Sequence, residues 1–284
     1  MTLSCVYLIW AMSNLGEIDS TLVEALMAQV GTVNYHVHKP ERQAFEIDAG
    51  GIVGCLVSPE LIATKVPVRD LRADDTTVDF ATDGVEIIQA ATGVGGFSGD
   101  TWQALYDADL TRLLQKQLSA KEVEIFDHTV REDDPKSDRK PARNVHSDSS
   151  PEGAEKRLVD ILGSERAAEW AGGHYAFINV WRPVGDPINS APLGFVRPST
   201  VADEDWILID LIYPDRKGHI MGLAANPSHE WIYQSKMTPD EIAIFNIYDN
   251  QGLASIGHSA IDLIEDPSVT CIRKSIESRT LVRY

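Results

Sequence analysis

From residue 174 to residue 284 the chain is a procession of short strand-like runs: HYAFINVWRPV, APLGFV, DWILIDLIY, HIMGLAA, HEWIYQS, DEIAIFNIYD, ASIGHSAIDL and TCIRKSIESRTLVRY. They are divided by the turn signals DPIN, PDRKG, NP and DNQG. Many short strands at this spacing fold as an antiparallel barrel or sandwich. The preceding residues read differently. Helical spacing covers 20–30, 101–118 (or a start at 100), 151–161 and 164–171. Strands are expected at 32–38, in GIVGCLVSPE and TKVPVRDLR, at 85–90 and at 123–129. The charged, proline-bearing REDDPKSDRKPARN at 131–144 reads as a surface loop or lid. The expectation is one domain. It has an extension and helix over 1–30, helices and supporting strands over about 31–145, and a β core over about 146–284.

At 284 residues and 43% hydrophobic the chain can bury a sizeable core. Its formal net charge of −18 argues against nucleic acid and anionic membrane surfaces as partners. A site for an anionic substrate must then be locally basic, so the arginines matter. Cys5, Cys55 and Cys271 are few, odd in number and without CxxC spacing. That disfavours a disulfide framework or thiolate zinc site and fits a reducing cytoplasm. The apolar run at 6–12 lacks a basic flank and is too short to span a membrane. It reads as a native extension, or as an upstream start with Met12 as a second initiator; a signal peptide is the alternative.

GVGGFSGD lies between a strand and a helix, but a GxGxxG beginning at Gly93 needs glycine where Ser98 stands. No P-loop lysine and no run of βαβ units accompany it, so it reads as a turn into a helix. His36 and His38 form an HxH, read as packed or solvent-facing. NVHSDSS places His146 and Asp148 two apart, on one face of an extended chain. Two histidines and one carboxylate on one side of iron(II) leave positions open for oxygen and a co-substrate. A jelly-roll barrel can supply HxD from an early strand and a second histidine from a late one. His174, His219, His229 and His258 are the candidates for the latter. After His258 come Arg273 and Ser275 in an RxS. A guanidinium fork and a hydroxyl on the same face suit a dicarboxylate.

In the order FDHTVR, PARNVHSDSS, INVWRPVGDPINSAPLGF, NPSHEWIYQSKMTPDEIAIFNIYD, GHSAI and IRKSIESR, the chain resembles the hydroxylase/desaturase family of natural-product pathways. That group includes gibberellin-desaturase-like and cephem-methoxylase-accessory-like proteins. The resemblance implies a double-stranded β-helix core (jelly-roll or cupin-like), mainly β with flanking helices. It implies iron(II), 2-oxoglutarate and dioxygen, and hydroxylation or desaturation of a small molecule by hydrogen-atom abstraction. His146, Asp148 and His258 map to the metal ligands, and Arg273 and Ser275 to the 2-oxoglutarate carboxylate. Asn179, Arg182, His229 and Arg279 fall to substrate or supporting roles, with His229 the rival third ligand and Arg279 the runner-up for the co-substrate. Trp181, Trp231 and Tyr233 read as core or pocket wall. Gly257 and Ile261 depart from the proline and aromatic usual around the late histidine.

Two other readings compete. One is a cupin-like metal-dependent isomerase, hydrolase or small-molecule-binding protein that does not use 2-oxoglutarate. The other is a structural or partner-binding protein without metal. The N-terminal helices offer an interface for a homodimer.

Overall fold

A computed structural model describes residues 29–73, 77–99 and 101–284. Cys5, Met12, Asp100 and most of the helix expected at 20–30 lie outside these residues. The last two residues of that expected helix, Gln29 and Val30, instead open a strand.

The strands run in chain order as β1 (Gln29–His36), β2 (Gln43–Ile47), β3 (Leu56–Val57), β4 (Leu61–Asp70) and β5 (Val85–Gln89). Helix α1 (Gln103–Leu118) leads into β6 (Glu122–Glu132), and β7 (His146–Ser147) into α2 (Pro151–Ala171). Then follow β8 (Tyr175–Pro183), β9 (Leu193–Val196), β10 (Trp206–Ile212), β11 (Lys217–Leu223) and β12 (Trp231–Tyr233). The series ends with β13 (Glu241–Asp249), β14 (Gly257–Ala260) and β15 (Lys274–Arg283). One sheet has the order β1-β4-β12-β9-β14-β7-β11-β10-β2-β3, the other β5-β13-β8-β15-β6. These two mostly antiparallel sheets form the jelly-roll core that the strand-rich sequence anticipates. Strands from before residue 146 complete both sheets, so the supporting part and the barrel part are interleaved.

Strand β8 is buried at every position, which its apolar YAFINV run requires. Alternate side chains enter two different cores. Phe177 and Trp181 meet Phe195, Ile232 and Phe245 between the sheets. Ile178 and Val180 meet Tyr106, Leu110 and Leu114, the i, i+4, i+8 stripe of α1. A third cluster places Val33 and Tyr35 of β1 against Val145, Leu223 and Trp231.

The two helices expected at 151–161 and 164–171 are one element with a kink at Gly163, whose φ of 74° and ψ of 161° are open to glycine without a Cβ penalty. Ser150 caps α2 by accepting the Gly153 N–H at 3.0 Å, and Pro151 presets its first turn. Asp148 is two residues upstream of that cap, so the cap also fixes how the chain leaves the carboxylate. Among the described residues no helix is long and apolar enough to cross a membrane.

Candidate active site

Strands β7 and β14 are neighbours, and their register sets His258 directly opposite His146. Opposed residues in an antiparallel pair share a face, and the two rings lie 4.5 Å apart. Each ring is held by its Nδ1. His146 donates to the Asn144 carbonyl at 2.8 Å, and His258 to the Ile256 carbonyl at 3.3 Å. Both Nε2 atoms are thereby left as lone-pair donors. Phe245 closes on His258 edge-on at 4.9 Å. Burial, then the neighbouring His146, pushes His258 down to about 3 and favours neutral imidazole.

Asp148 extends from the end of β7. One oxygen, Oδ1, lies 3.4 Å from His146 Nε2. The other, Oδ2, accepts from Asn179 Nδ2 at 2.6 Å and from Arg279 Nε at 3.1 Å. Both donors come from the opposite sheet, on β8 and β15. Burial alone would raise the Asp148 pKa, but Arg279 and then His146 overcome it and hold the carboxyl well below its ordinary range. The ligand atoms of His146, Asp148 and His258 all lie within 4.8 Å of one another. Two imidazoles and one carboxylate, presented to one point, fit a divalent iron ion.

Beside this cluster a pocket is lined by Arg131, Ala142, His146, Trp181, Leu193, His258, Ala260, Arg273 and Glu277. The Arg273 guanidinium sits over the Trp181 ring, 5.2 Å from its centroid. Its Nε and Nη1 have no hydrogen-bond partner, and neither does Ser275 Oγ. Burial, reinforced by Arg131, pushes Arg273 down to about 9. A guanidinium fork and a hydroxyl buried without partners imply an absent polar ligand, because such groups are rarely left unpaired. A carboxylate supplies the matching acceptors, so this end fits a dicarboxylate such as 2-oxoglutarate.

Other expected residues fall elsewhere. His229 is not part of the metal cluster, because both its nitrogens are engaged in a buried chain. Trp231 Nε1 donates to the Tyr35 hydroxyl at 2.8 Å, the hydroxyl to His229 Nδ1 at 2.9 Å, and His229 Nε2 to Asp205 at 3.1 Å. This rival ligand is a packing and hydrogen-bonding residue of the outer core. Arg182, on β8, follows Trp181 and faces the opposite way. There it donates to the Tyr106 hydroxyl at 3.2 Å and the Pro239 carbonyl at 2.5 Å. Arg279 is a partner of Asp148, Asp127 and Glu277 rather than of the co-substrate pocket. Asn179 Nδ2 donates to Asp148 Oδ2. His36 is buried and His38 exposed, so they do not act as a pair. His174 pairs with Asp249 and His219 with Asp210.

Residues 41–283 match the family model described as oxidoreductase/YMDC permease-like domain. The chain is 31% identical over 247 residues to the hydroxylase/desaturase efuI of Hormonema carpetanum, covering 76% of this chain and 82% of that protein. The chain belongs to the hydroxylase/desaturase family. It is 26% identical over 258 residues to the Fe(II)/2-oxoglutarate-dependent dioxygenase nvfI of Aspergillus novofumigatus, covering 88% of this chain and 82% of that one. A solved structure of the iron and alpha-ketoglutarate-dependent endoperoxidase NvfI shares the fold. Its TM-score is 0.74 at 22% identity, over 90% of this chain and 97% of that one.

In this hydroxylase/desaturase the sequence reading passed over two residues facing the site, Asp127 and Arg131. The alternation of FDHTVR already puts Asp127, Thr129 and Arg131 on one face. What the sequence lacks is the register of β6 against β15, which sets Asp127 opposite Arg279 and Arg131 opposite Ser275.

Proposed function

We infer that this hydroxylase/desaturase is an iron(II)- and 2-oxoglutarate-dependent oxygenase that hydroxylates or desaturates a small-molecule intermediate of natural-product biosynthesis. The observation that carries the reading is the conjunction of two features in one pocket. The His146–Asp148–His258 cluster lies beside a buried Arg273 and Ser275 whose polar atoms have no partner.

Iron(II) with 2-oxoglutarate and dioxygen supplies the oxidising power to remove hydrogen from an unactivated carbon, releasing succinate and carbon dioxide. The protein's part is to bind and to orient. His146 and His258 would offer Nε2 to the ion, and Asp148 its Oδ1. Asn179 and Arg279 keep Asp148 Oδ2 occupied, so the carboxylate is steered to bind through one oxygen. Three protein atoms would then hold the ion, and the neighbouring pocket would stay free for the keto acid. Arg273 and Ser275 would take the far carboxylate and thereby aim the keto-acid end at the ion. Trp181, Leu193 and Ala260 line this space with apolar surface that limits water.

A cupin-like isomerase or hydrolase would leave Arg273 without a task, which favours the oxygenase. We further propose a single domain working in a reducing cytoplasm; the free Cys55 and Cys271 support that compartment. A homodimer remains a proposal that light scattering would decide.

The test is anaerobic reconstitution with iron(II), followed by oxygen and 2-oxoglutarate with a panel of polycyclic natural-product intermediates. Succinate formation is expected from the wild type and should vanish in His146→Ala and Asp148→Ala. Full turnover by either variant would overturn the assignment.

A further inference from the structure

Two guanidinium groups, not one, enter the pocket beside the metal cluster. Arg131 lies on β6, whose register places it directly opposite Ser275 of β15. Opposed residues point to the same face, with Cα atoms about 5 Å apart. Arg273 is two residues before Ser275 and so also shares that face. The main chains hold this arrangement together, since the Asp133 N–H donates to the Arg273 carbonyl at 2.9 Å.

Among the described residues neither cation makes a direct ion pair with a carboxylate, although Glu277 lies near both. The hydrogen bond of Arg131 goes to the Lys140 carbonyl at 3.0 Å, and among the described residues it forms no ion pair. Arg273 has unpartnered nitrogens and rests on Trp181. The acid that lines the pocket, Glu277, is already paired with Arg279 at 2.6 Å. Elsewhere in the molecule Arg143, Arg197, Arg279 and Arg283 each meet a carboxylate within 3 Å. Two cations in one half-buried space repel one another, and the nearby Glu277 is shared with Arg279, so an incoming anion would relieve that repulsion further.

We propose that Arg131 is a second anchor for the co-substrate, sharing with Arg273 the far carboxylate of 2-oxoglutarate. The inference rests on the co-substrate assignment made under Proposed function. One carboxylate has two oxygens and about four acceptor sites, enough for the Arg273 fork, one N–H of Arg131 and the Ser275 hydroxyl. Arg131 also holds the Lys140 carbonyl in the loop that follows β6, so it would link the bound carboxylate to that loop.

The test reads binding without turnover. Protein loaded with Mn(II) under anaerobic conditions is titrated by calorimetry with 2-oxoglutarate. A second titration uses 2-oxopentanoate, which keeps the keto-acid head but lacks the far carboxylate. Arg131→Gln should weaken 2-oxoglutarate binding by about tenfold, the scale of one lost charge-assisted contact, and leave 2-oxopentanoate within about twofold. Arg131→Lys keeps the charge without the fork, and should fall between wild type and Arg131→Gln. It also serves as the readout if the glutamine variant does not fold. Wild-type affinity for 2-oxoglutarate in the folded variants, or an equal loss for both acids, overturns the proposal while Arg273→Gln can still vindicate the parent assignment. A wild type that takes up Mn(II) but binds no 2-oxoglutarate overturns the parent assignment and this inference together.

Discussion

Asp148 illustrates how much of this site is made by residues that are not themselves ligands. Its Oδ2 is taken by Asn179 and Arg279, and that leaves Oδ1 facing the histidines. Arg279 is in turn held by Asp127 at 2.6 Å and Glu277 at 2.6 Å. Removing Arg279 with Arg279→Leu would leave the buried Asp148 and Glu277, and the more exposed Asp127, without their shared cation. We expect iron(II) affinity to fall by about 10- to 100-fold, the usual effect of losing an outer partner of a ligand. Anaerobic metal titration reads it directly. Asn179→Ala removes a neutral donor and should give the smaller loss of the two. At the other end of the pocket, Arg273→Lys retains the charge but not the bidentate fork. The KM for 2-oxoglutarate should rise by about tenfold or more, with a smaller change in kcat. The HxD pair and the late histidine were legible in the sequence, and the structure brings their ligand atoms within 4.8 Å of one another. The choice of His258 over His229 was not readable. It depends on Asp205 and Tyr35 engaging both nitrogens of His229, contacts made across 24 and 194 residues of sequence.

At the level of elements, the strand-rich half was legible from its alternation and its turns, and α1 from its 106, 110, 114 stripe. What could not be read was how the strands order themselves. Register converts a list of polar residues into a site, and it is fixed by long-range pairing and by bulges such as that between Arg279 and Thr280. Arg131 and Asp127 escaped notice for that reason, and Arg182 was misplaced because neighbouring residues on a strand face opposite ways. Close approach between strands is equally invisible in sequence. Gly222 of β11 pairs with His146, and a Cβ there would lie 2.6 Å from His36 Cδ2. Gly222→Ala must therefore push the His36 ring or the strand aside. A loss of about 1–3 kcal/mol is expected in urea unfolding, the range for overpacking a tight interior. Because β11 and β7 move together, the variant should also bind iron(II) more weakly, which the same metal titration would reveal.

For the molecule as a whole, the buried histidines set an acid limit. Burial, then the neighbouring His146, pushes His36 from its ordinary value near 6.5 down to about 4. Burial also lowers His229, against the pull of Asp205. Between pH 6.5 and 4 the unfolded chain takes up protons that the folded chain refuses. Stability therefore rises with pH across this window, and is lost as the solution is acidified. His36 alone accounts for a loss on the order of 3 kcal/mol by pH 4. The metal-free protein should show this slope in urea melts, and His36→Leu should flatten it if the fold survives. The two sheets share a further consequence, one that concerns time. Asp148 is emitted early in the chain, yet it is oriented by Arg279, 131 residues later, in strand β15. That strand also pairs with both β6 and β8. During synthesis the His146–Asp148 pair thus exists long before the parts that complete it, and contacts of such long range form late. A nascent chain stalled before β15 should hold no iron. Loading with a redox-active ion would then wait until the barrel has closed around the place where its chemistry is contained.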